Sequence, residues 1–244
     1  MNRIQFHKLF KTTVPVVLPV IHVIDNEQVE ANARIAIGEG CPGIFLINHD
    51  FSYPQFLPII RYIREKFPDL WLGVNFLGVT GKDAFPVLSD LQCDGVNLNA
   101  YWADDARINE RFTQDEQCEA DEISRIRAGS GWEGLYFGGT AFKKQREVLT
   151  ENYHLAAELA CHHMDVVTTS GVATGQAAEI SKIETFRKAC GDTAIALASG
   201  VTPENAIFFE SLVDAFLVAT GININEDFYN IDTRRLERLV NTLT

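Results

Sequence analysis

The sequence predicts an α/β protein closed into a (β/α)8 barrel, the TIM barrel, of the phosphate-binding type. Three observations carry this reading. Short apolar runs the length of buried strands alternate with amphipathic stretches from one end to the other. There are eight such pairs in 244 residues, a length typical of a single eight-fold barrel. The last three runs end in a hydroxyl residue close to a glycine, at the strand ends where such barrels hold phosphate.

Strand one is "VVLPVIHV" (16–23), followed by an amphipathic stretch over 26–40. Its weak point is Pro19, which removes a ladder hydrogen bond. Strand two is "GIFLINH" (43–49), with a helix over 52–67, and strand three is "WLGVNFL" (71–77), with a helix over 81–93. Strand four is read as "GVNLNA" (95–100). A long polar segment opening on Tyr101 and Trp102 follows, with the length of a lid over the barrel mouth. Strands five (134–142) and six (165–171) each precede a helical pattern. After strand seven (194–200), Thr202 suits a helix N-cap and Pro203 the first helical position. Strand eight (215–222) precedes the clearest amphipathic helix, with Leu236, Leu239, Val240 and Leu243 on one face. Strict β/α alternation implies parallel strands with right-handed crossovers. A doubly wound open sheet fits less well, because no G-x-G-x-x-G follows strand one.

No linker or low-complexity tract divides the chain, so one domain over 1–244 is expected. The net charge of −12 argues against non-specific nucleic-acid binding, which needs a basic surface. It does not exclude phosphorylated metabolites, since a few backbone N–H groups bind one phosphate whatever the net charge. The five cysteines form no C-x-x-C, so packing roles in a reducing compartment are expected. The N-terminal "NRIQFHKLFK" and "VPVVLPVIHVI" loosely imitate a signal peptide, but Pro15, Pro19 and His22 interrupt the run. The run is too short to span a bilayer, so no membrane insertion and a cytoplasmic location are expected. Barrels often self-associate, so a homo-oligomer is compatible with the sequence, although no stripe identifies an interface.

Strand C-terminal ends form the active face of such barrels. For a phosphate site the candidates are Ser199, Gly200, Thr220 and Gly221, with Gly171, Thr174 and Gly175 as a second wall. Glycine lets backbone N–H groups approach an anion closely. The alternative is that these are ordinary turn glycines and that "TPEN" only starts a helix. In the first half, His22 and Asp25, Asn48-His49-Asp50, Asn75, and Asn97 with Asn99 bring polar groups to strand ends. His22 is a candidate acid/base because histidine titrates near neutrality. Asn75 and Asn97 are candidate substrate partners or loop anchors. Lys143 or Lys144 after strand five could meet a phosphate or carbonyl. "NHD" (48–50) is the sole cluster suggesting metal ligands. With no second cluster, no metal is assigned. No pattern names a cofactor. His162 and His163 precede strand six and are read as solvated or helix-capping residues of the opposite rim.

The chain resembles the BtpA family, whose namesake is a photosystem I biogenesis protein of cyanobacteria. The resemblance lies in "DVVTTSGVATGQAAEISKIETFRKACGDTAIALASGVTPENA", with a Thr-Gly after strand six and Ser-Gly-Val-Thr-x-Glu-Asn after strand seven. "PVIHVID", "LGVNFL", "GVNLNA", "RIRAGS" and "NIDTRRLERLV" extend it over most of the chain. The family has an acidic residue on strand five and then Val-Lys-His. Here those positions hold Gly139 and "FKKQ", so Lys143 is retained and the acid is missing. The loop after strand one is shortened to "IDNEQ", and "ATGININ" replaces a Gly-Thr-x-x-Lys ending after strand eight. The resemblance implies a phosphate-binding barrel.

Two functions follow as expectations. One is an enzyme acting on a small phosphorylated metabolite, a sugar or nucleoside phosphate, by isomerase, lyase or glycosyl or phosphoribosyl transfer chemistry. His22, Asn75, Asn97 and Lys143 would then face the reacting half. The other is a non-catalytic BtpA-like biogenesis or regulatory factor, which the missing acid favours.

Overall fold

The computed structural model describes residues 1–143 and 145–243. Eight parallel strands close into a barrel in sequence order, the first pairing with the last. They are β1 (Val16–Val23), β2 (Gly43–Asn48), β3 (Trp71–Asn75), β4 (Ala100–Ala103), β5 (Leu135–Gly139), β6 (Val166–Ser170), β7 (Ala194–Ala198) and β8 (Ala215–Val218). The barrel expectation is met. β1 runs unbroken through Pro19, which stands in register with Val218.

The barrel interior is filled asymmetrically. β7 and β8 present Ala194, Ala196, Ala198 and Ala215, while Phe45, Trp102 and Phe137 fill the space from the opposite strands. Phe45 packs edge-on against Phe137 and Trp102, with ring centroids 5.2 and 6.0 Å apart. Alternating small and large side chains let a barrel of eight strands close without a void. Outward-facing residues such as Val17, Ile21, Ile44 and Leu46 meet the surrounding helices in a second, larger apolar layer.

The basic N-terminal segment is a helix, α1 (Arg3–Phe10), started by a capping box between Asn2 and Gln5. It closes the bottom of the barrel. Phe6 is fully buried and packs with Phe137 at 6.3 Å. Asp214, fully buried just before β8, accepts from Arg3 Nε (2.8 Å), pairs with Arg187 (3.1 Å) and bonds the Ile195 N–H (2.9 Å). His7 adds a 2.8 Å contact to the same carboxylate. No helix among the described residues is long and apolar enough to cross a membrane.

The remaining helices are α2 (Asn26–Gly38), α3 (Tyr53–Lys66), α4 (Gly81–Cys93), α5 (Cys118–Ser130), α6 (Tyr153–Ala160), α7 (Ile180–Cys190) and α8 (Thr233–Thr242). Two expectations need correction. The full helix expected after β7 is only a 3-10 turn, Ala206–Phe209. The cause is local: Thr202 N–H donates to Asn205 Oδ1 (2.8 Å) and Asn205 Nδ2 to the Gly200 carbonyl (2.8 Å), which folds "TPEN" into a closed turn. Strand four is shifted as well. Residues 95–99 lead into it, and Tyr101 and Trp102 belong to the strand itself rather than opening a lid. Of the cysteines, Cys41 and Cys190 are buried as expected, whereas Cys93 and Cys118 are exposed.

Candidate active site at the barrel mouth

β1 alternates Val16, Leu18, Val20 and His22 into the barrel, so His22 reaches the C-terminal mouth. His22 lines a narrow pocket at this mouth, with His49, Trp102, Asp104, Lys143, Ser199 and Thr220 among the other walls. Burial, then the neighbouring His49 and Lys143, pushes the His22 imidazole down to about 3, against a hydrogen bond to the Phe228 carbonyl. His22 is therefore neutral at pH 7. Its Nδ1 is buried with no partner among the described residues. Phe228 comes from the loop after β8 and lies over His22 with centroids 3.8 Å apart. That loop is held by Tyr229, whose hydroxyl donates to Asp50 (2.8 Å) and whose carbonyl accepts from Gln28 and Asn32.

Asn75 is fully buried at the end of β3, and its Nδ2 donates to Asp104 Oδ1 at 2.9 Å. Asp104 directly follows β4 and lines the pocket, a role the sequence reading missed because strand four was set too early. Asp104 is also packed against Gly139 at the end of β5. A Cβ at Gly139 would overlap the Asp104 carbonyl, so no side chain fits there. The chain thus carries a carboxylate at this mouth from β4 rather than from β5. Ala106 N–H bonds the Gly139 carbonyl at 2.9 Å, and Glu110, almost fully buried, pairs with Arg146. The segment after β4 is pinned by these contacts. Lys143 donates its backbone N–H to Ser170 Oγ (2.8 Å), and its ammonium stands 3.3 Å from Thr174 Oγ1. Trp102 points into the barrel, 4% exposed, with its Nε1–H buried and unpartnered among the described residues.

The loops after β6, β7 and β8 meet. A Cβ on Gly171 or on Gly200 would overlap the backbone at 176–177, and one on Gly221 would overlap the Val201 carbonyl. Gly171 is required by the fold of its own loop, and Gly200 and Gly221 by packing between loops, whatever the loops bind. Gly175 (φ 77°) brings its loop to within 3.7 Å of Thr220 Oγ1, measured from where its Cβ would stand. Ser199 and Gly200 are both left-handed, at φ 67° and 70°. In the described residues, no backbone hydrogen bond engages the N–H groups of Gly200, Thr220 and Gly221. These N–H groups are the backbone donors that the loops after β7 and β8 leave outside the backbone hydrogen-bond network of the described residues. No helix N-terminus adds to them. The start of α8 is already capped by Asp232, which accepts from Arg234 and Arg235.

Other candidates fall elsewhere. Asn97 is exposed before β4, on the rim opposite the mouth, and is removed from the site. Asn99 is beside it and anchors Leu72 N–H and Arg64. Asn48 holds the turn after β2 through Phe51 and Leu77, and Asp25 caps α2. Lys144 lies outside the described residues. No group of three metal-ligating side chains occurs among the described residues. His163, expected to be solvated, is buried against Gln114 and Ser124. The sequence reading also passed over Lys182. It sits one helical turn into α7 and donates to the Ala141 (2.6 Å) and Ser170 (2.7 Å) carbonyls. Burial lowers its amine to about 8. Nothing in its helical spacing distinguishes it from a surface lysine.

No family model and no curated protein matches the chain. Solved structures do. A tryptophan synthase alpha chain from Legionella pneumophila subsp. pneumophila is 14% identical, with a TM-score of 0.67 over 99% of this chain and 97% of that one. A phosphoribosyl anthranilate isomerase from Thermus thermophilus is 14% identical, with a TM-score of 0.60 over 93% and 97%. A native KDPGal structure is 13% identical, with a TM-score of 0.61 over 93% of each chain. At these identities the likeness establishes the barrel fold.

Proposed function

We propose that the chain is an enzyme acting on a small phosphorylated metabolite at the C-terminal mouth of the barrel. One observation carries the reading: a neutral histidine, a carboxylate and a lysine line one pocket together with Ser199, whose backbone is left-handed, and Thr220. In this reading the phosphate is held by N–H groups of the loops after β7 and β8, with Lys143 and Thr174 on the adjoining wall. The reacting half meets His22 and Asp104. A neutral imidazole offers one hydrogen-bond donor and one acceptor to the reacting groups, and Asn75 fixes the carboxylate that lines the same pocket. The barrel likeness to a phosphoribosyl anthranilate isomerase agrees with a substrate of this class.

A second reading is a non-catalytic BtpA-like factor. Gly139 is the observation in its favour, since the family acid is absent there. Asp104 weighs against it by bringing a carboxylate to the same mouth.

The test is thermal melting with inorganic phosphate and a panel of phosphorylated metabolites. A ligand at 100 times its Kd adds about 2.7 kcal/mol to the native state and raises Tm. Ser199→Asp adds negative charge at a left-handed position that aspartate tolerates. It should abolish the rise while leaving the ligand-free Tm close to that of the parent. No rise with any member of the panel would defeat the phosphate reading. Binding without turnover of any bound ligand would favour the second reading.

A further inference from the structure

We infer that the half of the ligand away from the phosphate is a hydroxylated carbon chain, so that the pocket takes a sugar phosphate rather than a nucleotide. The inference rests on the anion reading above and adds the chemistry of the other end.

Two residues of the pocket wall, Trp102 and His22, each hold a buried side-chain nitrogen without a partner among the described residues, and the two have opposite needs. Trp102 Nε1–H is a donor only and requires an acceptor. His22 is 6% exposed, and its hydrogen bond to the Phe228 carbonyl uses one ring nitrogen as the donor. Nδ1 is then left as an acceptor that requires a donor. Leaving such groups unpaired is unfavourable, and a fitting ligand removes that penalty. A hydroxyl donates and accepts, so neighbouring hydroxyls satisfy both atoms. A carboxylate would serve Trp102 alone and would face Asp104 across the same pocket.

The aromatic rings of the pocket wall are packed against other rings. The Phe228 ring lies against His22 (3.8 Å) and His49 (5.2 Å). Trp102 is flanked by Phe45 (6.0 Å) and Phe142 (5.8 Å). The other walls, Val20, Ile47 and Leu217, are aliphatic and suit the C–H faces of a sugar.

Calorimetric titration of the full chain with inorganic phosphate, ribose 5-phosphate and uridine 5′-monophosphate tests this. Ribose 5-phosphate should bind at least about tenfold more tightly than inorganic phosphate, the gain of two good hydrogen bonds, and more tightly than the nucleotide. Trp102→Phe and His22→Phe should each reduce that ratio by about 2- to 10-fold with inorganic phosphate affinity unchanged, and melting curves verify that the variants fold. If neither variant folds, the order of the three ligands on the parent decides. A ratio near one, a nucleotide that binds most tightly, or a ratio that survives both substitutions would overturn the sugar assignment while leaving the anion site standing. Failure of inorganic phosphate and ribose 5-phosphate alike to bind would instead remove the anion site, and this inference with it.

Discussion

Ser199 holds a left-handed backbone at φ 67° that costs a side-chain-bearing residue about 1 kcal/mol or more. The next residue, Gly200, shares the conformation freely, so a serine at 199 is retained against the local preference. Ser199→Gly should therefore raise the ligand-free Tm by about 2–4 °C for a chain of this size. It should also weaken phosphate binding if the hydroxyl touches the anion, and paired melting and titration measurements separate the two effects. His22 gives a second prediction. Its folded value, about 3, lies below the 6.5 of an exposed histidine, so the unfolded chain binds the extra proton first as pH falls. The histidine's contribution to stability is complete above pH 6.5 and is lost progressively between pH 6.5 and 3. His22→Phe should flatten that acid limb in urea titrations between pH 7 and 4. An unchanged limb would mean that His22 is protonated in the fold.

At the scale of elements, the site is made by loops that constrain one another. The turns after β6, β7 and β8 approach so closely that Gly200 and Gly221 have no room for a Cβ. Lys182 reaches up from α7 to join the chain at Ala141 and Ser170, holding the loops after β5 and β6 together. The other end of the barrel depends on α1. Phe6 fills the barrel floor, and Phe6→Ala should cost about 3–5 kcal/mol, lowering Tm by roughly 10 °C. Differential scanning calorimetry checks this. A change within a degree or two would show that the floor closes without the helix. Anion affinity per folded molecule should be unchanged, because α1 is at the opposite end from the mouth.

For the whole molecule, the closure of the ring is the deciding event. β1 pairs with β8, and Asp214, directly before β8, gathers Arg3 of α1, Arg187 of α7 and the Ile195 N–H of β7 onto one carboxylate. Asp214→Asn leaves two guanidinium groups without their counter-charge in a buried setting. It should destabilise by about 3–5 kcal/mol, measured by urea unfolding. The eight-fold alternation that predicts this ring is legible because apolar runs at strand length are local patterns. Most of the mouth was legible too: His22, Asn75, Lys143, Ser199 and Thr220 stand at the ends of runs whose C-terminal limits are clear from the sequence. Asp104 and Asn97 were not. The run at 95–100 is apolar enough to pass for a strand, and only the register of Ala100 with Gly73 and Leu135 fixes where β4 begins. That shift of five residues moved one candidate to the wrong rim and hid another.

The sequence by itself determined the barrel, the order of its strands and the face on which the polar strand ends collect, because hydrophobic period and turn chemistry are properties of neighbouring residues. Only the tertiary structure decided what those ends do. Whether a glycine is needed for packing, whether an imidazole is buried and neutral, and which carboxylate shares a pocket with it depend on contacts made in the folded chain. Gly200 and Gly221 are fixed by the loops pressed against them. Asp104 is fixed by Asn75 and Gly139, and His22 by Phe228 from the far end of the chain. Burial and contact across the ring set these roles, and neither is encoded in the local spacing that made the fold readable.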